Sequence, residues 1–248
     1  MVLQNFRKMD LGDLTAYKVL PIQKSSPLGS LSYSRLIDSY IALKNKPVFK
    51  DILEYINVTS SKNFNILFKN IEFLMAKLQI DDPLRKKFFI KHLTDDFETV
   101  TLKVKVPPSK KDLPIGKLSF KEEAAGKLRV FAMVDIITQS LLGPLHESLF
   151  SLFKELPNDF THNQDKGFAY VQSLSLKHGR SFGYDLSAAT DRLPLSSQIS
   201  VLDSLYGIGK IWGNILINRD YVISKNDYGI EPQSIRYAVG QPMGALSS

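Results

Sequence analysis

Apolar positions in the first part of the chain recur with a helical period. Leu36, Ile37, Tyr40 and Ile41 form one stripe over residues 31–44, and Pro47 closes that segment. Residues 48–57 suit a short second helix. From Asn63 to Gln79 the apolar residues Phe64, Leu67, Ile71, Leu74 and Leu78 fall at alternating spacings of three and four, which predicts an amphipathic helix packed on a core. Asp82 followed by Pro83 reads as the start of a further helix running to about Leu93. Residues 1–30 show no period and contain Pro21, Pro27 and Gly29, so an irregular arm is expected there.

At Thr101 the period changes to two. Leu102, Val104 and Val106 alternate with Lys103 and Lys105, which predicts a strand with a basic outer face. Pro107 to Lys111 reads as a loop, Lys117 to Phe120 as a second strand, Gly126 as a turn, and Lys127 to Ala132 as a third strand. Ile137, Leu141, Leu145 and Leu149 then repeat every four residues in a long helix over 135–156, with Pro144 expected to kink it and Pro157 to end it. After a polar loop over 158–168 and a short helix over about 168–177, Phe182, Tyr184 and Leu186 alternate with Ser181, Gly183 and Asp185, the pattern of a strand. A helix from Ser196 or Ser197 to Gly207, helical character around Trp212, and strands at 221–224 and 234–238 complete the chain. The alternation of helical and strand periods predicts an α+β fold. Three regions follow: a mainly helical one over 1–100, basic strands with a long helix over 101–180, and a further unit over 181–248.

Composition narrows the chemistry. A chain of 248 residues with 44% hydrophobic and 23% charged residues is globular and large enough for a real core. Cysteine is absent, which excludes disulfides, thiol nucleophiles and cysteine-ligated zinc. The four histidines are scattered without metal-type spacing. No apolar run is long enough to span a bilayer. The first thirty residues mix Arg7, Lys8, Lys18 and Lys24 with Asp10 and Asp13, so neither a secretory core nor a transit peptide is expected. The net charge of +7 is concentrated: residues 101–130 carry eight basic residues against three acids. Those bases sit on strand faces and connecting loops, forming a ledge suited to a polyanion such as nucleic acid or a triphosphate.

Two carboxylates stand out. Asp185 lies at the tip of the alternating segment, and Asp191 follows six positions later, past a turn of small residues. Hard cations such as Mg²⁺ take carboxylate oxygens together with substrate phosphates, so this spacing suits a divalent metal. It equally suits a turn-capping Asp followed by a helix cap.

The combination of Asp185-Leu-Ser-Ala-Ala-Thr-Asp191 with Gly240-Gln-Pro-Met-Gly-Ala-Leu-Ser-Ser248 resembles the RNA-dependent RNA polymerases of mitoviruses and the open reading frames derived from them. The segment Lys117 to Ala132 and residues Thr138, Gln139 and Pro144 to His146 resemble the same family. The resemblance implies a partial right-hand polymerase: fingers plus the first part of a palm, without the Gly-Asp-Asp hairpin and thumb. It implies that Asp185 is the catalytic and metal-binding carboxylate for Mg²⁺ or Mn²⁺, held weakly in this chain. Asp191 would read the ribose 2′-hydroxyl, and Lys121, Lys127 and Arg129 would hold the incoming triphosphate. Gly240, Gln241, Gly244 and Ser247 would form the loop against template and nucleotide. RNA template and ribonucleoside triphosphates are the implied partners and the mitochondrion the implied location. The chain stops before the second carboxylate strand, so a catalytically inactive fragment is expected. The alternatives are an RNA-binding protein without catalysis and a reverse transcriptase- or maturase-like fragment; the acid at Asp191, suited to a ribose hydroxyl, speaks against the latter.

Overall fold

The computed structural model describes residues 14, 26–29, 35–77, 85–88, 100–103 and 113–247. Three helices come first: α1 (Leu36–Lys44), α2 (Val48–Val58) and α3 (Lys62–Lys77). Their stripes converge as the sequence period requires. Leu36, Tyr40 and Leu43 of α1 meet Ile52, Tyr55 and Ile56 of α2 and Phe64, Leu67 and Ile71 of α3 in the core. The Tyr40, Phe49 and Phe68 rings pack within 5.0 to 6.0 Å of one another.

The helix expected over 83–93 is contradicted at its described residues, 85–88. Residues Arg85–Phe88 make a strand, β1, paired antiparallel with β2 (Val100–Lys103), Arg85 opposite Lys103 and Phe88 opposite Val100. Local helical spacing loses to a distant strand that supplies ladder partners, a tertiary effect that a local pattern cannot register. The proposed arm over 1–30 lies outside the described residues except for Leu14 and the Ser26–Gly29 turn, which is closed by two backbone hydrogen bonds. Lys105, Lys110 and Lys111 also lie outside them.

The main sheet has the order β4-β3-β5-β6. Strands β3 (Gly116–Glu122) and β4 (Leu128–Val134) form an antiparallel hairpin. Strand β5 (Tyr221–Ile223) runs parallel to β3, and β6 (Gln233–Ile235) runs antiparallel to β5. On one face Leu118, Ala132, Val134, Tyr221 and Ile223 are buried. Against that core lie α4 (Ile136–Glu155) and α8 (Gly209–Ile217), through Ile137, Leu141, Leu145, Trp212 and Leu216. Helix α4 continues through Pro144 as one element and ends before Pro157. The same cluster of buried side chains holds residues from α1, from the sheet and from Ala245.

Between α4 and α8 lie α5 (Gln164–His178), α6 (Ala189–Arg192) and α7 (Leu195–Tyr206). Helix α5 starts four residues earlier than its apolar pattern suggests, because the Asn163 side chain accepts from the Lys166 amide and caps it. The strand expected over 180–186 is absent: these residues form neither helix nor strand. A strand exists only beside a neighbour that takes its backbone hydrogen bonds. Among the described residues none lies alongside, and Phe182, Tyr184 and Leu186 are 74%, 92% and 70% exposed.

Tyr221 is buried, and its hydroxyl donates to the Leu216 carbonyl at 2.8 Å. Burial pushes its pKa well above the ordinary tyrosine range, against the opposing pull of Arg219. A raised folded pKa means that this contribution to stability is complete below the unfolded value, about 10, and declines as pH rises beyond it. The thermal midpoint should therefore fall above pH ~10, and Tyr221→Phe should flatten that fall. Midpoint measurements with an identical alkaline slope in both proteins would assign the loss to other groups.

Candidate functional site

The β3–β4 hairpin gathers four of the five described basic residues of the 101–130 stretch, Lys117, Lys121, Lys127 and Arg129. Its register sets Lys121 directly opposite Arg129. Lys127 lies two residues before Arg129 and Lys117 four before Lys121, so the alternation of a strand gives all four the same side. The hairpin closes through Ala124–Gly126, with Gly126 at φ +71°, and the Glu123 amide donates to the Lys127 carbonyl at 2.8 Å. Positive φ at that point suits glycine, which has no Cβ to clash. Arg129 is held by both oxygens of Glu123, Nε to Oε1 at 2.6 Å and Nη2 to Oε2 at 3.0 Å. An exposed pair of this kind adds little stability, but its fork geometry orients the guanidinium. Lys121 and Lys127 are exposed. Lys103, expected on the same ledge, belongs to the separate β1–β2 sheet.

The segment 240–247 is fastened to this hairpin. The Ala132 amide donates to the Met243 carbonyl at 2.6 Å. Gln139 of α4 clamps the segment from below: its Nε2 donates to the Gly244 carbonyl at 2.9 Å, and its Oε1 accepts from the Leu246 amide at 2.7 Å. Gly244 has φ +116°, and a Cβ there would strike the Ala132 carbonyl. Ser247 accepts through its Oγ from the Trp212 indole at 2.9 Å. Gln241 is buried, and its Nε2 donates to the Gln198 side chain at 2.7 Å. The side chains of Gln241 and Ser247 are thus engaged inside the protein, fixing the loop.

The same segment meets Asp191. The Gly240 amide donates to the Asp191 carbonyl at 3.1 Å and the Gln241 amide to the Thr190 carbonyl at 3.0 Å. Burial first, then the nearby Asp191 carboxylate, raises the Tyr237 pKa. Four of the sequence-derived segments are therefore one assembly: the Lys121/Arg129 hairpin, Gln139, the 240–247 loop and the Asp191 turn. Asp185 is not joined to it. Its side chain is exposed and has no hydrogen-bond partner among the described residues.

Among the described residues no three of His, Asp and Glu converge as ligands for a cation. Among the described residues Asp185 offers a single carboxylate, whereas a hard cation takes several converging oxygens. No helix among the described residues is long and apolar enough to cross a membrane.

Residues 12–248 match the model of the family described as mitovirus RNA-dependent RNA polymerase. The chain belongs to that family. It is similar to the RNA-directed RNA polymerase of Cryphonectria parasitica mitovirus 1 (strain American chestnut tree/New Jersey/NB631), 36% identical over 140 residues. Those residues are 55% of this chain and 16% of that relative, so the matched part of the family member is a small portion of its length. No solved structure matches the chain.

Sequence reading missed Gln139 as a clamp, and also Glu123, Gln198, Trp212 and Tyr237. The sequence does not set Gln139 apart from its polar neighbours Thr138 and Ser140; only the structure shows it as the one half-buried position between Asp135 and Leu145. Tyr237 had no signal either, since its role depends on the carboxylate 46 positions earlier in the chain.

Proposed function

We propose that this chain supplies the RNA- and nucleotide-holding part of a mitovirus-type RNA-directed RNA polymerase, within the partial fingers and palm that the family resemblance implies. One observation carries the reading. The hairpin that presents Lys121, Lys127 and Arg129 is stitched to the glycine loop and to Asp191, so a phosphate chain on the ledge lies on the assembly that holds the two family motifs. Lys121 and Lys127 offer point charges for phosphate and Arg129 a planar fork. Gly240 and Gly244 keep the loop backbone free of side chains where it runs over Asp191 and Ala132. Asp191 acts as a hydrogen-bond acceptor for a ribose hydroxyl, beside Tyr237. Asp185 is the metal carboxylate of the intact polymerase. Among the described residues no further carboxylate converges on it, which supports the reading that this chain binds RNA without polymerising it. In this reading the three regions 1–100, 101–180 and 181–248 are the N-terminal, fingers-like and palm-like parts and the chain resides in the mitochondrion, a placement that family membership supports.

The test is RNA binding against salt concentration. Ala at Lys121, Lys127 and Arg129 together should weaken single-stranded RNA binding and flatten the slope of log K against log salt by about 0.7 for each phosphate that is no longer neutralised. A slope and affinity equal to the parent protein's would remove the ledge from the reading. In the same preparation, primer extension with RNA template, ribonucleotides and Mn²⁺ should yield no product. Template-dependent product that vanishes in Asp185→Asn would show that another carboxylate, Asp227 being one candidate, completes the site.

A further inference from the structure

A cavity of about 290 Å³ opens at the end of the main sheet that lies away from the hairpin turn. Strand register brings part of its lining together. Val222 of β5 stands opposite Ser234 of β6, and one step outward Asp220 pairs with Arg236. Alternation puts these side chains on the side of the sheet opposite buried Tyr221 and Ile223. Lys46 and Pro47, in the turn between α1 and α2, join the lining, as do Leu113 and Pro114 on the way into β3. Arg219 also reaches it, with its charge matched by Asp135.

The remaining charges do not cancel. Apart from Arg219, the lining sets Lys46 and Arg236 against the single carboxylate of Asp220. The Arg236 hydrogen bond first, and then the charges of Arg236 and Lys46, hold that carboxyl below the usual carboxylate range. Arg236 meets Asp220 through Nε, at 2.5 Å. Its two terminal nitrogens have no partner among the described residues. A guanidinium fixed through Nε and open at its terminal nitrogens presents a planar fork, the geometry that takes a phosphate by two parallel hydrogen bonds. Lys46 adds a point charge and Ser234 a hydroxyl. Pro47, Leu113, Pro114 and Val222 supply apolar surface beside these groups. Cations next to apolar wall suit an anion that carries a flat apolar body. The volume sits near the lower end of small-ligand sites, about 300–1,000 Å³, so it holds one such unit and not several.

We propose that this cavity binds one nucleotide, its phosphate on Arg236 and Lys46 and its base against Pro47, Leu113 and Pro114. A free ribonucleotide and one residue of an RNA strand offer the same chemistry. Lys117 stands opposite Val222 on the same side of the sheet, so the cavity adjoins the row of bases that reaches Lys121 about 13 Å further along β3. The inference rests on the cavity and not on the reading of the hairpin as an RNA surface.

The experiment uses the full chain carrying Ala at Lys121, Lys127 and Arg129, which removes the hairpin's phosphate affinity. Equilibrium dialysis compares uridine 5′-monophosphate with uridine. The monophosphate should bind at least about tenfold more tightly. Adding Lys46→Gln and Arg236→Gln should bring it down to the uridine level. The Arg236–Asp220 pair is exposed, and such pairs add little stability, so the fold should persist. Ser234→Trp, which fills the cavity and keeps its charges, should weaken both compounds at least about tenfold. A monophosphate bound no better than uridine, or bound equally after either change, overturns the proposal. Competition with single-stranded RNA of about 16 nucleotides, a long single-strand site, identifies the source: displacement of the monophosphate assigns the cavity to an RNA strand, and retention assigns it to a free ribonucleotide. RNA affinity unchanged by the three hairpin substitutions, with the monophosphate still held, would count against the hairpin reading only.

Discussion

Arg219→Met should unfold the protein or come close to it. Arg219 and Asp135 are 0% and 1% exposed and paired at 2.9 Å. The guanidinium also donates to the Ile215 and Ile115 carbonyls and to the Thr138 hydroxyl. Asp135 in turn caps α4 by accepting from the Thr138 amide at 2.8 Å and its hydroxyl at 2.7 Å. One cation therefore joins the end of α8, the entry to β3 and the start of α4. Removing it leaves a buried carboxylate unpaired, with two carbonyls deprived of donors. Breaking such a pair costs about 3–5 kcal/mol, out of a total stability of about 5–15 kcal/mol. Urea unfolding measures it directly. Combining Arg219→Met with Asp135→Leu should recover part of the loss, since an apolar pair leaves no orphan charge, though the α4 cap is then missing at about 1 kcal/mol. A single variant within about 1 kcal/mol of the parent would show that water or another group satisfies Asp135.

Gly240→Ala should damage both stability and the site. The Cβ would sit on the Thr190 and Asp191 carbonyls, which are backbone and cannot swing aside. Relief requires the loop to lift from α6, breaking the Gly240–Asp191 and Gln241–Thr190 hydrogen bonds. Overpacking of this kind costs about 1–3 kcal/mol, and the loop's displacement should weaken RNA binding as well. Gly126→Ala is the control: its φ is +71° but nothing lies within 4 Å of a Cβ there. It should lose only about 1 kcal/mol from left-handed backbone strain and leave RNA affinity nearly intact. If the two substitutions behave alike, close packing of the loop on Asp191 is not what Gly240 provides.

The helices show where a sequence is sufficient. Leu36, Ile37 and Tyr40 of α1, Phe64, Leu67 and Ile71 of α3 and Ile137, Leu141 and Leu145 of α4 are buried, because a helix brings residues three and four apart together whatever its surroundings. The β3–β4 hairpin was legible for the same reason: two alternating runs joined by a Gly turn pair locally. The basic residues fell on one of its sides because alternation alone sets which side a residue takes.

Other features depended on partners far along the chain. Arg85–Phe88 has a helical local pattern and forms a strand because Val100–Lys103 lies beside it. Residues 180–186 have a strand's alternation and form no strand among the described residues, where no ladder partner is present. Arg219 reads as one more surface cation among the 32 Lys and Arg residues, yet it is buried because Asp135, 84 positions earlier, meets it. Gln241 and Ser247 stand in a motif suited to a ligand, and their side chains turn inward to Gln198 and Trp212. The sequence by itself determined the local periods, the side each base takes on its strand, and the family motifs. Tertiary structure decided strand pairing, the burial of charge and the joining of the hairpin, Gln139, Asp191 and the glycine loop. Backbone hydrogen bonds between strands and desolvated ion pairs form only between segments that folding brings together, and no local pattern records which segments those are.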